Sequence, residues 1–329
     1  MRQALIKEQA QTPGKWWRRW LRWPASSGDW VFQTLTLLAA LCLVGLLVAM
    51  ALYLLAEAWP SVTLFGPAFL TSTAWDPVRG VFGALPAVYG TLATSAIAMI
   101  VAVPLSMGVA IFLAELAPDW LRAPASFLVE MLAAIPSVVL GLWGLFVMVP
   151  LIRDPVEQWL GGNLGFIPLF QGPPFGVGFL AGGLILTVMS LPLITAVARD
   201  SILAVPNSQR EAMLALGATH WETISRAVLP YARSGIIAGV ILGLGRALGE
   251  TMAVTMVIGN GYQVTLQLFA PANTMASKIA TEFNEASGDV YIGALVELAL
   301  VLFAVTLVVN IIGRLLVYWT VSDTSTRGQ

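Results

Sequence analysis

Residues 86–114 read PAVYGTLATSAIAMIVAVPLSMGVAIFLA, a stretch without a single Asp, Glu, Lys or Arg. An α-helix needs about 20 apolar residues to cross the hydrocarbon core of a bilayer, and this stretch is longer than that. It does not alternate polar and apolar residues over about ten positions, as a strand of an outer-membrane barrel does. The stretch therefore predicts a transmembrane α-helix.

The rest of the chain has the same character. Of its 329 residues, 58% are hydrophobic and only 11% are charged, a balance that excludes a water-soluble domain of this size. Segments long enough to span a bilayer lie at 30–56, 86–114, 126–151, 177–198, 232–260 and 291–318. We predict an all-α polytopic membrane protein whose six transmembrane helices form one domain over residues 30–320.

Lys and Arg are distributed unequally between the two sides of this topology. Cytoplasmic segments carry the excess of Lys and Arg, and six crossings place both termini on one side. One side holds Arg2, Lys7, Lys15, Arg18, Arg19, Arg22, Arg122, Arg199, Arg210, Arg226, Arg233, Arg314 and Arg327, and the other only Arg79, Arg153 and Lys278. We therefore expect both termini in the cytoplasm: a basic, Trp-rich segment at 1–29 and a tail at 321–329. Trp and Arg alternate over residues 15–23, which is typical of a segment lying on anionic membrane lipid.

Residues suited to catalysis or metal binding are scarce. The single cysteine, Cys42, excludes an internal disulfide and a thiolate cluster, and the single histidine, His220, leaves no material for a zinc site or a Ser-His triad. Gly14-Lys15 is an isolated pair and not part of a phosphate-binding P-loop. We expect no catalytic residues, no metal, no cofactor bound by this chain and no nucleic-acid partner.

Residues 206–230, PNSQREAMLALGATHWETISRAVLP, predict a helical hairpin in the loop between the fourth and fifth spans. Ser208 with Glu211, and Thr219 with Glu222, have the spacing of capping boxes at two helix starts. Gly217 stands where the first helix has to end in a left-handed residue, and Pro230 is expected to end the second.

Two interpretations of this hairpin, residues 207–230, stay open at this point. Trp221, Ile224 and Val228 are expected to share one face of the second helix, which gives the hairpin an apolar surface. That surface suits a hairpin resting on its own bundle or on lipid headgroups. It also suits a docking element for a cytoplasmic protein.

Besides Arg233 and Arg314 at the cytoplasmic ends of two spans, four ionisable residues fall inside predicted spans, where each costs about 2.5–3.5 kcal/mol and is read as functional by default. Glu130 and Glu297 lie near span boundaries, where water or a neighbouring helix can satisfy them. Arg246 and Glu250 lie deep in the fifth span, four residues apart, so a helix would place them on one face as a neutralising pair.

Glycine and proline add two features to the spans. Gly235, Gly239 and Gly243 extend the stripe of Arg246 and Glu250 at four-residue spacing, which suits close helix packing or a surface facing a partner. Prolines interrupt the spans at Pro104, Pro136 and Pro192; Pro136 is equally compatible with a packing kink and with a bend that lines a pathway. Proline-rich loops at 58–85 and 152–176 are expected to lack long helices.

The hairpin carries a resemblance to a known family. Glu211-Ala212, Gly217 and Leu229-Pro230 have the spacing of the EAA motif of ATP-binding-cassette (ABC) importer permeases, with Met213 and Ala227 departing from the motif. Residues 135–144, IPSVVLGLWG, and 245–254, GRALGETMAV, resemble the permeases of the phosphate-specific transport system, the PstC type more than the PstA type.

The resemblance implies a type I ABC importer permease (MetI-like) fold in a prokaryotic inner membrane. It implies a PstA-like second permease, a dimer of PstB-like ATPases that bind ATP-Mg, and an external PstS-like phosphate-binding protein. Glu211, Ala212, Gly217, Leu229 and Pro230 would form the ATPase-coupling loop. From their charge and depth in the fifth span we predict that Arg246 and Glu250 handle the anion in the pathway, and the resemblance implies that this anion is phosphate. A permease for molybdate, sulfate or phosphonate is the alternative within the class. A secondary transporter or channel, with Arg246 and Glu250 as a gating or proton-coupling pair, is the alternative outside it.

Overall fold

The computed structural model describes residues 27–325. The predictions for the Trp-rich segment before residue 27, and for the end of the tail with Arg327, lie outside the described residues. The chain divides into two compact units, residues 1–53 and 54–329. The described part of the first unit is helical, and apolar side chains such as those of Phe32 and Leu46 are exposed on it, as expected of a helix surrounded by lipid.

Eleven helices of the described residues position the functional residues. They are α1 (Ser27–Phe65), α2 (Ala68–Thr71), α3 (Leu85–Leu116), α4 (Asp119–Ala134), α5 (Ser137–Leu164), α6 (Phe179–Leu203), α7 (Asn207–Ala215), α8 (His220–Gly249), α9 (Met252–Val257), α10 (Met275–Glu282) and α11 (Asp289–Ser325). One π-helical turn lies within α3 and one within α8, and α5 contains two.

Six of these helices, α1, α3, α5, α6, α8 and α11, are long and apolar enough to cross a membrane. The predicted number of spans is therefore confirmed. Within the second unit α6 is the most deeply buried span, and it packs against α3 and α8. The core around it includes Ile185 and Leu186 of α6, Val254 and Val257 of α9, and Ile258, all of which are almost fully buried.

The third predicted span, 126–151, has the wrong limits. Ile135 and Pro136 adopt extended backbone angles and separate α4 from α5, because the proline ring disfavours helical geometry at the preceding residue. Helix α4 is short and amphipathic and has no buried residue. The span is α5, which begins at Ser137.

The prediction of a loop at 152–176 is also wrong for the first half of this segment. Helix α5 continues to Leu164 through Pro155, with a π-helical turn over Ile152–Glu157. A π turn shifts the hydrogen-bond register and so accommodates a residue that has no amide hydrogen. The proline-rich composition of this stretch indicated a helix end where the helix only changes its pitch.

The fifth predicted span, 232–260, contains a break that the apolar pattern did not reveal. Helix α8 ends at Gly249, Glu250 is extended with ψ 127°, and α9 starts at Met252. The first span, in contrast, is longer than predicted, since α1 runs to Phe65 through Pro60.

Candidate functional site

The hairpin turn has the backbone geometry that the sequence predicts. Gly217 has φ +81°, in the left-handed region that glycine enters at little cost. Thr219 then opens α8 with a complete capping box: its amide donates to Glu222 Oε2 over 2.9 Å, and the Glu222 amide donates to Thr219 Oγ1 over 3.3 Å. The turn and the second helix start are thus confirmed.

Two details of the hairpin differ from the prediction. Ser208 and Glu211 form no capping box, because α7 begins directly after Pro206 and has no side-chain cap. Pro230 does not end the second helix either. A π-helical turn over Ile224–Val228 joins the start of α8 to its long span, with the Leu229 amide bonded to the Ile224 carbonyl. The second helix of the hairpin and the fifth span therefore form one continuous helix.

One face of the hairpin is buried against the ends of two spans. Val228 is fully buried and Ile224 nearly so. Val228 packs in an apolar cluster with Ala114 of α3, Ala198 and Ile202 of α6, and partly buried Leu229 beside it. The buried face of the hairpin therefore packs directly on the ends of α3 and α6.

The opposite face of the hairpin is open. Glu211, Ala212 and Gly217 are exposed, and Leu216 and Trp221 are exposed to 83% and 64%. Trp221 therefore does not share the buried face of Ile224 and Val228, contrary to the prediction. Large apolar side chains that are exposed to solvent at a turn are typical of an interaction surface.

A second anchor of the hairpin is an ion pair that sequence reasoning missed. Arg210 of α7 lies 2.7 Å from Glu115 of α3, between Nη2 and Oε1. Arg210 is one of the predicted cytoplasmic cations, and Glu115 directly follows the second predicted span in the sequence. Their separation of 95 positions along the chain gave no periodic signal that would pair them.

Arg246 lies at the middle depth of the bundle. Gly243, three residues before it, packs on Ile194 and Ser190 in the centre of α6. The Arg246 side chain is exposed on the surface of this chain, and within residues 27–325 no hydrogen bond or ion pair involves it. The guanidinium is thus presented outward at membrane depth.

Glu250 does not pair with Arg246, contrary to the predicted neutralising pair. The helix that would have placed them on one face ends at Gly249. The Glu250 Oε1 atom instead accepts a hydrogen bond of 3.3 Å from the amide of Ala253 in α9. The carboxylate therefore lies at the break between α8 and α9, close in sequence to Arg246 but not bonded to it in the described structure.

The glycine stripe serves packing within the chain. A Cβ atom on Gly235, Gly239 or Gly243 would lie 2.1 to 3.1 Å from side-chain atoms of Ser201, Val197 and Ile194, respectively, on α6. Glycine at these positions lets α8 and α6 approach closely. The packing interpretation is confirmed for the glycines, whereas Arg246, one turn beyond Gly243, is exposed.

The two boundary carboxylates are each paired with a neighbouring helix. Glu130 lies in α4, outside the spans and contrary to the prediction, and forms an ion pair of 3.3 Å with Arg199 of α6. Glu297 of α11 accepts a hydrogen bond from Ser61 of α1. The structural interpretation of these two residues is therefore supported.

A buried charge cluster lies at the end of the bundle opposite the hairpin, and the sequence indicated Lys278 there only as a loop cation. Lys278 is 6% exposed and lies 2.5 Å from Glu282, with its ammonium over the rings of Trp75 and Tyr262. Trp75 Nε1 and Tyr291 OH donate to the same carboxylate. Burial raises the pKa of the Tyr262 phenol, which stays neutral beside the ammonium. The cluster ties the loops before α3 and after α9 to α11.

Two solved structures with the same architecture come from ABC transporters. The inward-facing MetNI methionine ABC transporter aligns with a TM-score of 0.55 at 18% identity, over 75% of this chain and 99% of that chain. A bacterial alginate ABC transporter in complex with its pentasaccharide-bound periplasmic protein aligns with a TM-score of 0.56 at 17% identity, over 92% and 98%. The fold is that of a type I (MetI-like) ABC importer permease, as predicted.

The sequence comparison specifies the family. Residues 106–321 match the binding-protein-dependent transport system inner membrane components. The phosphate transport system permease protein PstC of Haemophilus influenzae is 47% identical over 87% of this chain and 92% of that protein. PstC of Xylella fastidiosa strain 9a5c is 44% identical over 96% and 97%. The chain belongs to the family of binding-protein-dependent transport system inner membrane components, and its resemblance to PstC-type permeases is confirmed.

Proposed function

We propose that this chain is a transmembrane permease subunit of an ABC importer that moves inorganic phosphate across the inner membrane. The observation that carries the proposal is the 44% identity to a phosphate transport system permease protein over 96% of the chain, which includes both Arg246 and the hairpin. Such a subunit needs a surface for the ATPases and a surface for the anion. The exposed hairpin face suits the first, and the exposed guanidinium of Arg246 at membrane depth suits the second.

The hairpin is the proposed coupling element to a PstB-like ATPase dimer. Its exposed face, with Glu211, Ala212, Leu216 and Trp221, is available to a cytoplasmic partner. Its buried face contacts the ends of α3 and α6. Force applied by ATP-driven closure of the ATPases would thus reach the spans. The ATPases hold ATP-Mg and hydrolyse it, so this chain performs translocation and no bond cleavage.

Arg246 is the proposed phosphate contact of the pathway. An arginine exposed at membrane depth is costly in lipid, so its outward position requires a cover supplied by another subunit. A PstA-like second permease would provide that cover and enclose a path between the two chains. The planar guanidinium suits two parallel hydrogen bonds to phosphate oxygens.

Glu250 is proposed to limit how firmly phosphate is held. Its carboxylate lies at the break after α8, where a small backbone rotation changes its distance from Arg246. Repulsion between this carboxylate and the anion would favour release once the bundle reorients, because a site that binds too tightly does not turn over.

The transport cycle follows from these parts. A PstS-like binding protein docks outside and delivers phosphate to Arg246; ATP-driven closure moves the hairpin, and the bundle alternates access around the anion. This direction places the hairpin and both termini in the cytoplasm and the Lys278 cluster outside.

Co-purification tests the proposal against its two alternatives. A tagged chain extracted from native membranes in mild detergent should bring down a second permease and an ATPase, and the complex should hydrolyse ATP faster with phosphate-loaded binding protein. Stimulation by a sulfate- or molybdate-loaded protein instead would favour another oxyanion. A chain that purifies alone and conducts ions in a bilayer would favour the channel or secondary transporter.

A further inference from the structure

Arg210 makes more polar contacts across elements than any other α7 side chain in the described structure. Its Nη2 and Nε atoms donate to Glu115 of α3 over 2.7 and 3.2 Å. Nη2 also donates to the Ile202 carbonyl over 3.0 Å and Nη1 to the Val205 carbonyl over 2.5 Å. One guanidinium thus joins the hairpin to the ends of both α3 and α6.

The environment of this ion pair makes it stronger than an ordinary surface pair. The side chains of Arg210 and Glu115 are only 17% and 14% exposed, so water and salt screen them less than an exposed pair. The carbonyls of Ile202 and Val205 lie at the C-terminal end of α6, where the helix dipole favours a cation. Charge-assisted hydrogen bonds of this kind are about twice as strong as neutral ones.

Helix α7 has little else to hold it. None of its residues is buried, whereas the second half of the hairpin is anchored by Val228 and Ile224. Within residues 27–325, Arg210 is the α7 residue whose side chain hydrogen-bonds to α3 and α6. Without the guanidinium, α7 would remain linked to the bundle mainly through its chain connections and its contact with the start of α8.

We infer that Arg210 is a positioning residue that transmits displacement of the hairpin to α3 and α6 through Glu115. The inference rests on the proposed function, since it concerns the coupling of ATP hydrolysis to transport. When the ATPases pull on α7, a rigid guanidinium contact moves the ends of the two spans with it. A loosened contact lets α7 move while the spans stay behind, so ATP is hydrolysed without transport.

The test compares phosphate transported per ATP hydrolysed in proteoliposomes that contain the complete complex. Arg210→Gln and Glu115→Gln should each assemble and retain ATPase activity, yet lower the ratio about tenfold, as expected for the loss of one charge-assisted contact. The double variant should be no worse than either single one, because both changes remove the same link. Arg199→Gln, which breaks the interhelix pair with Glu130, is the matched control and should leave the ratio within about twofold of wild type.

A wild-type ratio in assembled Arg210→Gln complexes would overturn the inference. So would failure of both Arg210→Lys and Glu115→Gln to assemble, because that result would assign the pair to stability alone. A wild-type complex that transports no phosphate would instead contradict the proposed function. The two failures are therefore distinguishable.

Discussion

Ser61 Oγ donates a hydrogen bond of 2.5 Å to Glu297 Oε2, and both side chains are buried. The bond joins the second half of α1 to α11. It also explains how a carboxylate is accommodated in an apolar span, since the acceptor has a donor within the protein.

The first prediction concerns this bond. Ser61→Ala should lower the free energy of unfolding by about 1–3 kcal/mol, because a buried acceptor loses its donor. Thr63→Ala, an exposed residue on the same helix, should have little effect. The double variant Ser61→Ala/Glu297→Leu should recover much of the loss, since both polar groups are then removed. Thermal unfolding of the purified complex measures this; equal melting temperatures for Ser61→Ala and Thr63→Ala would contradict it.

The second prediction concerns the hairpin turn. No atom would lie within 4 Å of a Cβ on Gly217, so a substitution there acts through backbone conformation alone. Gly217→Val should cost about 1–2 kcal/mol at positive φ and misplace the start of α8, giving poor assembly or ATP hydrolysis without phosphate uptake. Gly217→Asn, which tolerates this conformation, is the control and should transport normally. Normal transport by Gly217→Val would show that the turn does not transmit the motion.

The third prediction concerns Arg246. Arg246→Gln should leave assembly intact and reduce phosphate uptake by roughly ten- to a hundredfold, the loss expected for charge-assisted contacts to the anion. Arg246→Lys keeps the positive charge but lacks the planar guanidinium. Its phosphate uptake should therefore fall between that of wild type and that of Arg246→Gln. Size-exclusion chromatography and uptake of radiolabelled phosphate separate the outcomes. An unassembled Arg246→Gln complex would indicate a structural role, and full uptake would reject the pathway role.

The fourth prediction concerns orientation. Single cysteines at the exposed positions Thr73, Gln171 and Ser287, in a Cys42→Ala background, should react from outside with an impermeant thiol reagent. Cysteines at Ser208 and Gln11 should react only after the membrane is opened. Strong external labelling at Ser208 would invert the topology.

The sequence predicted the parts of the fold that depend on composition over long windows. The six spans follow from apolar length, and Gly217 and the capping box of Thr219 and Glu222 follow from local turn chemistry. Both kinds of signal are short-range or additive, so a single sequence is sufficient to find them.

The parts that it missed depend on backbone register and on tertiary contact. The apolar pattern continues through Pro136 and through Glu250, where the helix is broken, and Pro155 lies inside a helix because a π turn accommodates it. The prediction that Arg246 and Glu250 form a pair failed for the same reason, since helical spacing does not apply across the break after Gly249. The contact between Arg210 and Glu115 required the fold itself.

Phosphate uptake by the complete complex tests the central claim most directly. The chain would be reconstituted in proteoliposomes with its second permease, its ATPases and the external binding protein, with ATP on the ATPase side. The account predicts uptake of radiolabelled phosphate that requires ATP and persists in excess sulfate or molybdate. Uptake that is independent of ATP, or transport of sulfate or molybdate in place of phosphate, would contradict it.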